Sequence, residues 1–220
     1  YVMKIHERKN ELVRPPIANI DQAILVFSVK EPAFSTTLLD RFLVVLESFY
    51  VKPIIVLTKM DLLTEQGLKE LQPYIQDYED VGYTVLTTYM DDPTLMERLT
   101  VHLEGKTSVL AGQSGVGKST LLNTLLPELK IKTNEISLSL GRGKHTTRHV
   151  ELIEVANGLL ADTPGFSSFD FDTIEKEELT NCFPEFARIS QNCKFRGCLH
   201  TKEPKCAVKE ALETGEIRQY

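Results

Sequence analysis

The segment Gly112-Gln113-Ser114-Gly115-Val116-Gly117-Lys118-Ser119 has the residue types and spacing to hold a polyphosphate. It matches G-x-x-x-x-G-K-[ST] at every fixed position. Gly112, Gly115 and Gly117 permit tight backbone turns in which N–H groups converge on anionic oxygens. Lys118 offers a positive charge to the β- and γ-phosphates, and Ser119 offers a hydroxyl to Mg²⁺. From Ser119 and Thr120 to Leu126 the sequence is helix-like. A helix starting here directs its N-terminal dipole and free N–H groups at the same anion. The apolar run Thr107 to Ala111 leads in. Strand, loop and helix in that order separate this motif from a chance glycine-rich turn.

Two further stretches narrow the chemistry. Asp162-Thr-Pro-Gly165 follows the apolar strand end Leu159-Leu-Ala161. A carboxylate at Asp162 is suited to hold Mg²⁺, and the Gly165 N–H to meet a γ-phosphate. Thr58-Lys59-Met-Asp61 ends another apolar run. Asp61 there can accept two hydrogen bonds, from guanine N1–H and its 2-amino group. Adenine offers no such pair, so the wrong base leaves the carboxylate unsatisfied. Lys59 can lay its aliphatic stem over the base. Taken alone, this tetrapeptide reads better as a strand ending in a polar turn.

Cys193, Cys198, His200 and Cys206 form a compact set of three thiols and one imidazole. It suffices for a tetrahedral Zn²⁺ with no open position, which is a structural rather than a catalytic arrangement. Clustering around a histidine points to metal in a reducing compartment, not to a disulfide framework. Cys182 stands apart and reads as a buried thiol.

The surrounding elements must bring these groups together. Ala23–Val29, Pro53–Thr58, Tyr83–Thr87 and the run into the phosphate loop read as strands, the first two as buried runs. Phe34–Tyr50, Gln66–Tyr78 and Pro93–Leu103 read as helices, with Pro93 suited to a first turn. Alternation of this kind predicts right-handed crossovers and a parallel sheet. Residues 127–148 are polar and of the length of a functional loop. His149–Val155 and Gly158–Ala161 read as strands turning at Asn157-Gly158. Asp172 and Glu175 can cap a following helix. Pro15-Pro16 marks a boundary.

The 220 residues are 42% hydrophobic, enough for a substantial core. No apolar run has the length of a membrane span, so no membrane association is expected. Net charge is −6. Even so, Arg142, Lys144 and Arg148, and later Lys194, Arg196, Lys202, Lys205 and Lys209, form basic clusters able to meet a phosphate backbone.

The base, phosphate and Mg²⁺ stretches resemble those of translation-factor-like GTPases, but Thr58–Asp61 precedes the phosphate loop instead of following it. A circular permutation accounts for that order. With Gly-Arg-Gly-Lys-His-Thr-Thr147 and the Cys/His cluster added, the chain resembles the small-subunit-dependent GTPase A (RsgA) family from about Val13 to Tyr220. The resemblance implies an α/β, circularly permuted P-loop GTPase sheet with a small C-terminal helical and loop zinc-binding domain. It implies residues 1–14 as the tail of an upstream oligonucleotide-binding β-barrel, 15–172 as the GTPase domain and 173–220 as the zinc-binding domain. It also implies Mg²⁺-dependent GTP hydrolysis, a cytoplasmic and monomeric protein, and binding to the small ribosomal subunit and its rRNA late in maturation. Hydrolysis would accompany release.

Two departures bear on chemistry. The base motif opens with Thr58 where the family pattern has Asn. The residue after Asp162-x-x-Gly165 is Phe166, which cannot orient water as a glutamine would. The resemblance gives the water-orienting role to His145 and the Mg²⁺-reaching switch role to Thr147. Two other classes remain open: a nucleotide-gated binding module with little hydrolysis, and a P-loop ATPase. Thr87-Thr88-Tyr89 stands where a further base-contacting motif is expected.

Overall fold

The strand Gln22–Ser28 (β3) is buried at every position, as a strand covered on both faces must be. It belongs to a computed structural model that describes residues 5, 7–12, 17–126, 151–162 and 174–218. β3 lies inside a six-stranded sheet. The others are β4 (Lys52–Thr58), β5 (Thr84–Thr87), β6 (Thr107–Ala111), β7 (Glu151–Val155) and β8 (Gly158–Asp162), in the order β5-β4-β3-β6-β8-β7. All pairings are parallel except the edge hairpin β7–β8.

Side-chain alternation along β3 and β4 divides the core into two layers. Ala23, Leu25, Phe27, Ile55 and Leu57 meet Leu39, Phe42 and Leu46 of α1 (Thr36–Ser48) and Leu71 and Ile75 of α2 (Glu65–Val81). Ile24, Val26, Ile54 and Val56 face the other way. They meet Leu99 and Leu103 of α3 (Leu95–Leu103) and Leu121, Leu122 and Leu125 of α4 (Lys118–Leu125). Phe27 and Phe42 pack edge to face, ring centroids 5.5 Å apart, the arrangement an aromatic quadrupole favours. Burial of each such large apolar side chain contributes roughly 1.5–3 kcal/mol.

Helix ends follow from single residues. The Ser35 side chain accepts from Leu38 N–H and that of Thr64 from Gly67 N–H, satisfying orphan donors of α1 and α2. Gly82, at φ 116°, ends α2. Pro93 lies just ahead of α3, whose N-cap is Thr94, rather than in its first turn.

A separate two-stranded ribbon packs on the same core. β1 (Glu11–Leu12) pairs antiparallel with β2 (Ile17–Ala18), and Leu12 is 2% exposed within the core. The Asn10 side chain accepts from Ile20 N–H and donates to Ile20 O, fixing that register.

The β7–β8 turn is centred on Ala156 and Asn157, at φ 50° and 58°, with Val155 opposite Gly158. This is one residue earlier than the sequence suggests. Gly158 serves close packing instead: a Cβ there would lie 2.1 Å from Leu103 O and 2.7 Å from Lys106 O.

Beyond the sheet, a 3₁₀ turn at Leu179–Cys182 leads to α5 (Pro184–Ser190) and α6 (Ala207–Thr214). The turn packs against α1. Val208, Ala211 and Ile217 form a small core with Cys198 and Cys206.

Candidate nucleotide-binding site and metal centre

β6 delivers the chain to the phosphate loop, and α4 begins at Lys118. Gly112 (φ 142°) is dictated by the neighbouring strand, since a Cβ there would sit 2.1 Å from Val26 O. Gly117, at φ 99°, is the N-cap of α4 and turns the loop into the helix. The loop thus leads from the end of β6 into the N-terminus of α4, where an anion is favoured. Lys118 Nζ donates to Gly112 O at 2.6 Å and to Gln113 O. Burial lowers the Lys118 pKa below its usual value. Ser114, Gly115 and Thr120 are exposed; Gln113 and Ser119 are half-buried.

Thr58, Lys59 and Asp61 lie at the end of β4, and β4 is separated from β6 by β3 alone. Two strand spacings are about 10 Å, comparable to the reach from a nucleobase to its phosphates. The two stretches are tied directly. The buried Thr58 hydroxyl lies 2.6 Å from Val116 O, to which it donates, and 3.2 Å from Phe27 O. Lys59 takes the left-handed conformation, φ 61°, and its Nζ donates to Glu31 O. Asp61 is exposed, and its Oδ1 accepts from Met90 N–H at 3.3 Å.

The β5–α3 loop faces this stretch. Met60 N–H donates to Thr88 O at 3.1 Å and Thr88 N–H to Leu57 O at 2.8 Å. Thr87-Thr88-Tyr89 is therefore beside the base stretch. Asp92 and Arg98 fix that loop; their only local signal in the sequence is an acid two residues ahead of Thr94, at a helix start.

Asp162 ends β8, next to β6. Its side chain, residues 127–148 with His145 and Thr147, and Gly165, Phe166 and Asp172 lie outside the described residues.

The ligand atoms of Cys193, Cys198, His200 and Cys206 all lie within 4.8 Å of one another. Cys193 Sγ is 3.8 Å from His200 Nδ1 and 3.9 Å from Cys206 Sγ, and His200 Nδ1 is 3.2 Å from Cys206 Sγ. A tetrahedron with metal–sulfur bonds of about 2.3 Å has edges near 3.8 Å, so the set fits a metal of zinc's size. Burial pushes the Cys198 thiol up to about 11, and a bound cation favours the thiolate forms that ligate it. Burial lowers the His200 pKa, favouring the neutral, ligating imidazole. His200 Nε2 is 3.1 Å from Thr180 Oγ1. With Nδ1 among the sulfurs, the Nε2–H donates to that hydroxyl, fixing the tautomer. Lys209 N–H points at Cys206 Sγ, at the start of α6. Glu203 folds the intervening loop by accepting from the N–H groups of Leu199, Thr201 and Lys202, at 2.9–3.0 Å. Its own N–H and these donors push its carboxyl down to about 2. Sequence gave no sign of Thr180, which lies twenty residues from His200.

A parallel sheet with a glycine-rich loop after β6, and the base stretch earlier in the chain on β4, is the architecture of a circularly permuted P-loop GTPase. The chain covers 99% of its length against 70% of the crystal structure "of YloQ, a circularly permuted GTPase", with 52% identity and a TM-score of 0.85. The structure of YjeQ from Thermotoga maritima matches 98% of this chain and 72% of that one, at 39% identity and TM-score 0.85. The chain belongs to the RsgA GTPase family, whose model matches residues 5–172. The small ribosomal subunit biogenesis GTPase RsgA of Geobacillus sp. (strain WCH70) is 61% identical over 220 residues, 100% of this chain and 75% of that protein.

Proposed function

We propose that this protein hydrolyses GTP to GDP and phosphate, and uses that cycle in maturation of the small ribosomal subunit. The observation that carries the reading is the Thr58–Val116 tie, which joins the base stretch to the phosphate loop in one site. Membership of the RsgA GTPase family supports it, as does the biogenesis role in the printed name of a relative 61% identical over the whole chain.

In this reading Gly112, Gln113, Ser114, Gly115, Val116, Gly117, Ser119 and Thr120 line the phosphates through backbone N–H groups and hydroxyls. Lys118 exchanges its carbonyl partners for phosphate oxygens. Thr58, Lys59 and Asp61 receive the guanine, and Gly165 meets the γ-phosphate. Ser119, Thr147 and Asp162 would hold Mg²⁺, which supplies charge neutralisation between the β- and γ-phosphates. His145 orients the attacking water, because Phe166 cannot.

Zn²⁺ is the metal proposed for the Cys193, Cys198, His200 and Cys206 set, in a structural role. Residues 1–14, 15–172 and 173–220 are the proposed units: a tail of an upstream barrel, the GTPase domain and the zinc-binding domain. Lys194, Arg196, Lys202, Lys205 and Lys209 give the zinc-binding unit a surface suited to rRNA backbone contacts. Lys194 Nζ also stands 5.3 Å from the Phe195 ring centroid, and Phe195 is 45% exposed. We place the protein in the cytoplasm as a monomer. Among the described residues, no helix is long and apolar enough to cross a membrane.

Phe166 favours a second reading, a nucleotide-gated ribosome-binding module with little turnover. Steady-state hydrolysis of GTP, with and without purified small ribosomal subunits and beside an ATP control, decides between them. GTP-selective stimulation by the subunits is expected. Turnover that stays slow with subunits present favours the second reading, and equal use of ATP overturns the guanine assignment.

A further inference from the structure

The loop Thr88–Thr94, between β5 and α3, is built over a buried carboxylate. Asp92 is 7% exposed. Its Oδ1 accepts from the Thr94 N–H at 2.9 Å and the Thr94 hydroxyl at 2.8 Å. Its Oδ2 accepts from the Thr88 hydroxyl at 3.1 Å and from Arg98 Nη2 at 2.6 Å. Burial alone would raise this carboxyl. The Thr94 and Thr88 donors and the Arg98 guanidinium outweigh it and hold the pKa below the usual value. The Thr94 bonds hold Asp92 against the N-cap residue of α3, which makes no side-chain capping bond of its own. Arg98 does more: Nη2 also donates to Thr87 O at 2.9 Å, and Nε to Thr94 Oγ1 at 3.2 Å. The guanidinium fork therefore clamps the end of β5 to the start of α3.

Between the buried Thr88 and Asp92 the loop is exposed. Tyr89 is 50% exposed and Met90 73%. Yet this loop supports Asp61 from two sides. Thr88 O receives the Met60 N–H, and the Met90 N–H donates to Asp61 Oδ1. Asp61 is exposed, so its carboxylate has rotamer freedom to lose on meeting a ligand. Two simultaneous hydrogen bonds to a planar base edge demand one orientation.

We propose that Arg98 and Asp92 are positioning residues for base selection: they fix the Thr88–Met90 backbone, which pre-orients the Asp61 carboxylate toward the N1–H and 2-amino group of guanine. The proposal rests on the guanine-nucleotide reading above and assigns it a determinant outside the base stretch itself.

The test is competition of GDP, IDP and ADP against a fluorescent GDP analogue, using the whole chain. IDP lacks the 2-amino group and so reports one of the two Asp61 contacts. Wild type is expected to bind GDP over IDP over ADP. Arg98→Met keeps the apolar stem and removes the fork. It should weaken GDP about tenfold, the worth of a hydrogen bond with charge assistance, and IDP clearly less, so the GDP-to-IDP preference shrinks. Arg98→Lys, with one donor for Asp92 but no fork, should recover part of that preference. Thr88→Val, which leaves the ion pair intact, should shift it in the same direction and decides the matter if Arg98→Met fails to fold. Folded Arg98→Met with the wild-type preference, or with equal losses for all three nucleotides, overturns the proposal. A wild type indifferent between GDP and ADP overturns the guanine reading itself and this inference with it.

Discussion

The Thr58 hydroxyl donates to Val116 O across 2.6 Å, joining the end of β4 to the middle of the phosphate loop. Thr58 is buried. A threonine here is too short to replace every contact of an asparagine amide, but its hydroxyl ties the two halves of the site together. Thr58→Val preserves shape and removes the donor. Loss of one buried hydrogen bond should cost about 1–3 kcal/mol. The urea midpoint should fall and nucleotide affinity weaken about tenfold, while Thr58→Ser retains both. Unchanged affinity in Thr58→Val would show that the tie does not organise the loop.

Gly158 makes a second prediction, about stability. The atoms that a Cβ would strike, Leu103 O and Lys106 O, are backbone, and Lys106 O also receives the Leu159 N–H at 2.8 Å. They cannot swing away as a side-chain tip would. Gly158→Ala should destabilise by about 3 kcal/mol, the upper part of the range for overpacking, measured by urea unfolding. A mild effect would mean that the α3–β6 corner is more pliable than its bonds imply.

The metal cluster should behave as a separable unit. Chelation should unfold the segment from about residue 183 onward, seen as lost amide protection, and leave nucleotide binding in place. Thr180→Val removes the oxygen that His200 Nε2 meets at 3.1 Å. Outer partners of this kind are worth about 10–100-fold in metal affinity. Competition with a colorimetric chelator reads that loss directly. Equal affinity in wild type and variant would assign Thr180 no part in holding the imidazole.

A fourth prediction concerns pH. A cleft of about 520 Å³ between α1, α2 and the C-terminal unit is lined by Asp40, Glu185, Tyr83 and Cys182, among others. Burial raises the pKa of Asp40, of Glu47 and of Glu185, although Tyr78 partly offsets this at Asp40 and Tyr83 at Glu47. A carboxyl whose native value is raised binds its proton more tightly when folded. Its contribution is fully present below the ordinary carboxylate range and is lost as pH rises through the raised native value. These three groups should therefore make the protein less stable at neutral pH than in the acid range where ordinary carboxyls are protonated. Glu185→Gln imitates the protonated form. Its melting temperature should exceed wild type at pH 7.5, with the difference closing near pH 4.5. A constant difference across that range would locate the effect elsewhere.

What was legible in the sequence followed periodicity and fixed motifs. Continuous apolar runs marked β3 and β4 because both are covered on two faces, and helical spacing marked α1 and α2. Glycine and lysine at motif spacing marked the loop after β6. The Cys/His set was legible because its four ligands lie close in sequence. What was hidden depends on partners brought together by folding. No local pattern announces that Arg98 reaches Thr87 O, that Thr180 meets His200, or that Thr58 donates to Val116 O. Gly158 was misread for an instructive reason: Asn-Gly suggests a turn, but Ala156 and Asn157 make the turn and the glycine admits two carbonyls.

The register that places Gln22 beside Ser108 has a further consequence, for how the chain assembles. Their side chains bond at 2.9 Å across 86 residues of sequence, whereas β3 meets β4, with Gln22 opposite Lys52, after a single crossover. Contacts of short sequence separation form sooner, because less chain entropy must be lost first. During synthesis β3, β4 and β5 can dock with their helices while β6 is still being made. The strand bearing the phosphate loop then arrives as a late insertion beside β3, and β8 closes over its other edge. The permutation thus reverses the schedule of construction: the end of the site suited to a base is in place before the end suited to phosphate has a strand to stand on.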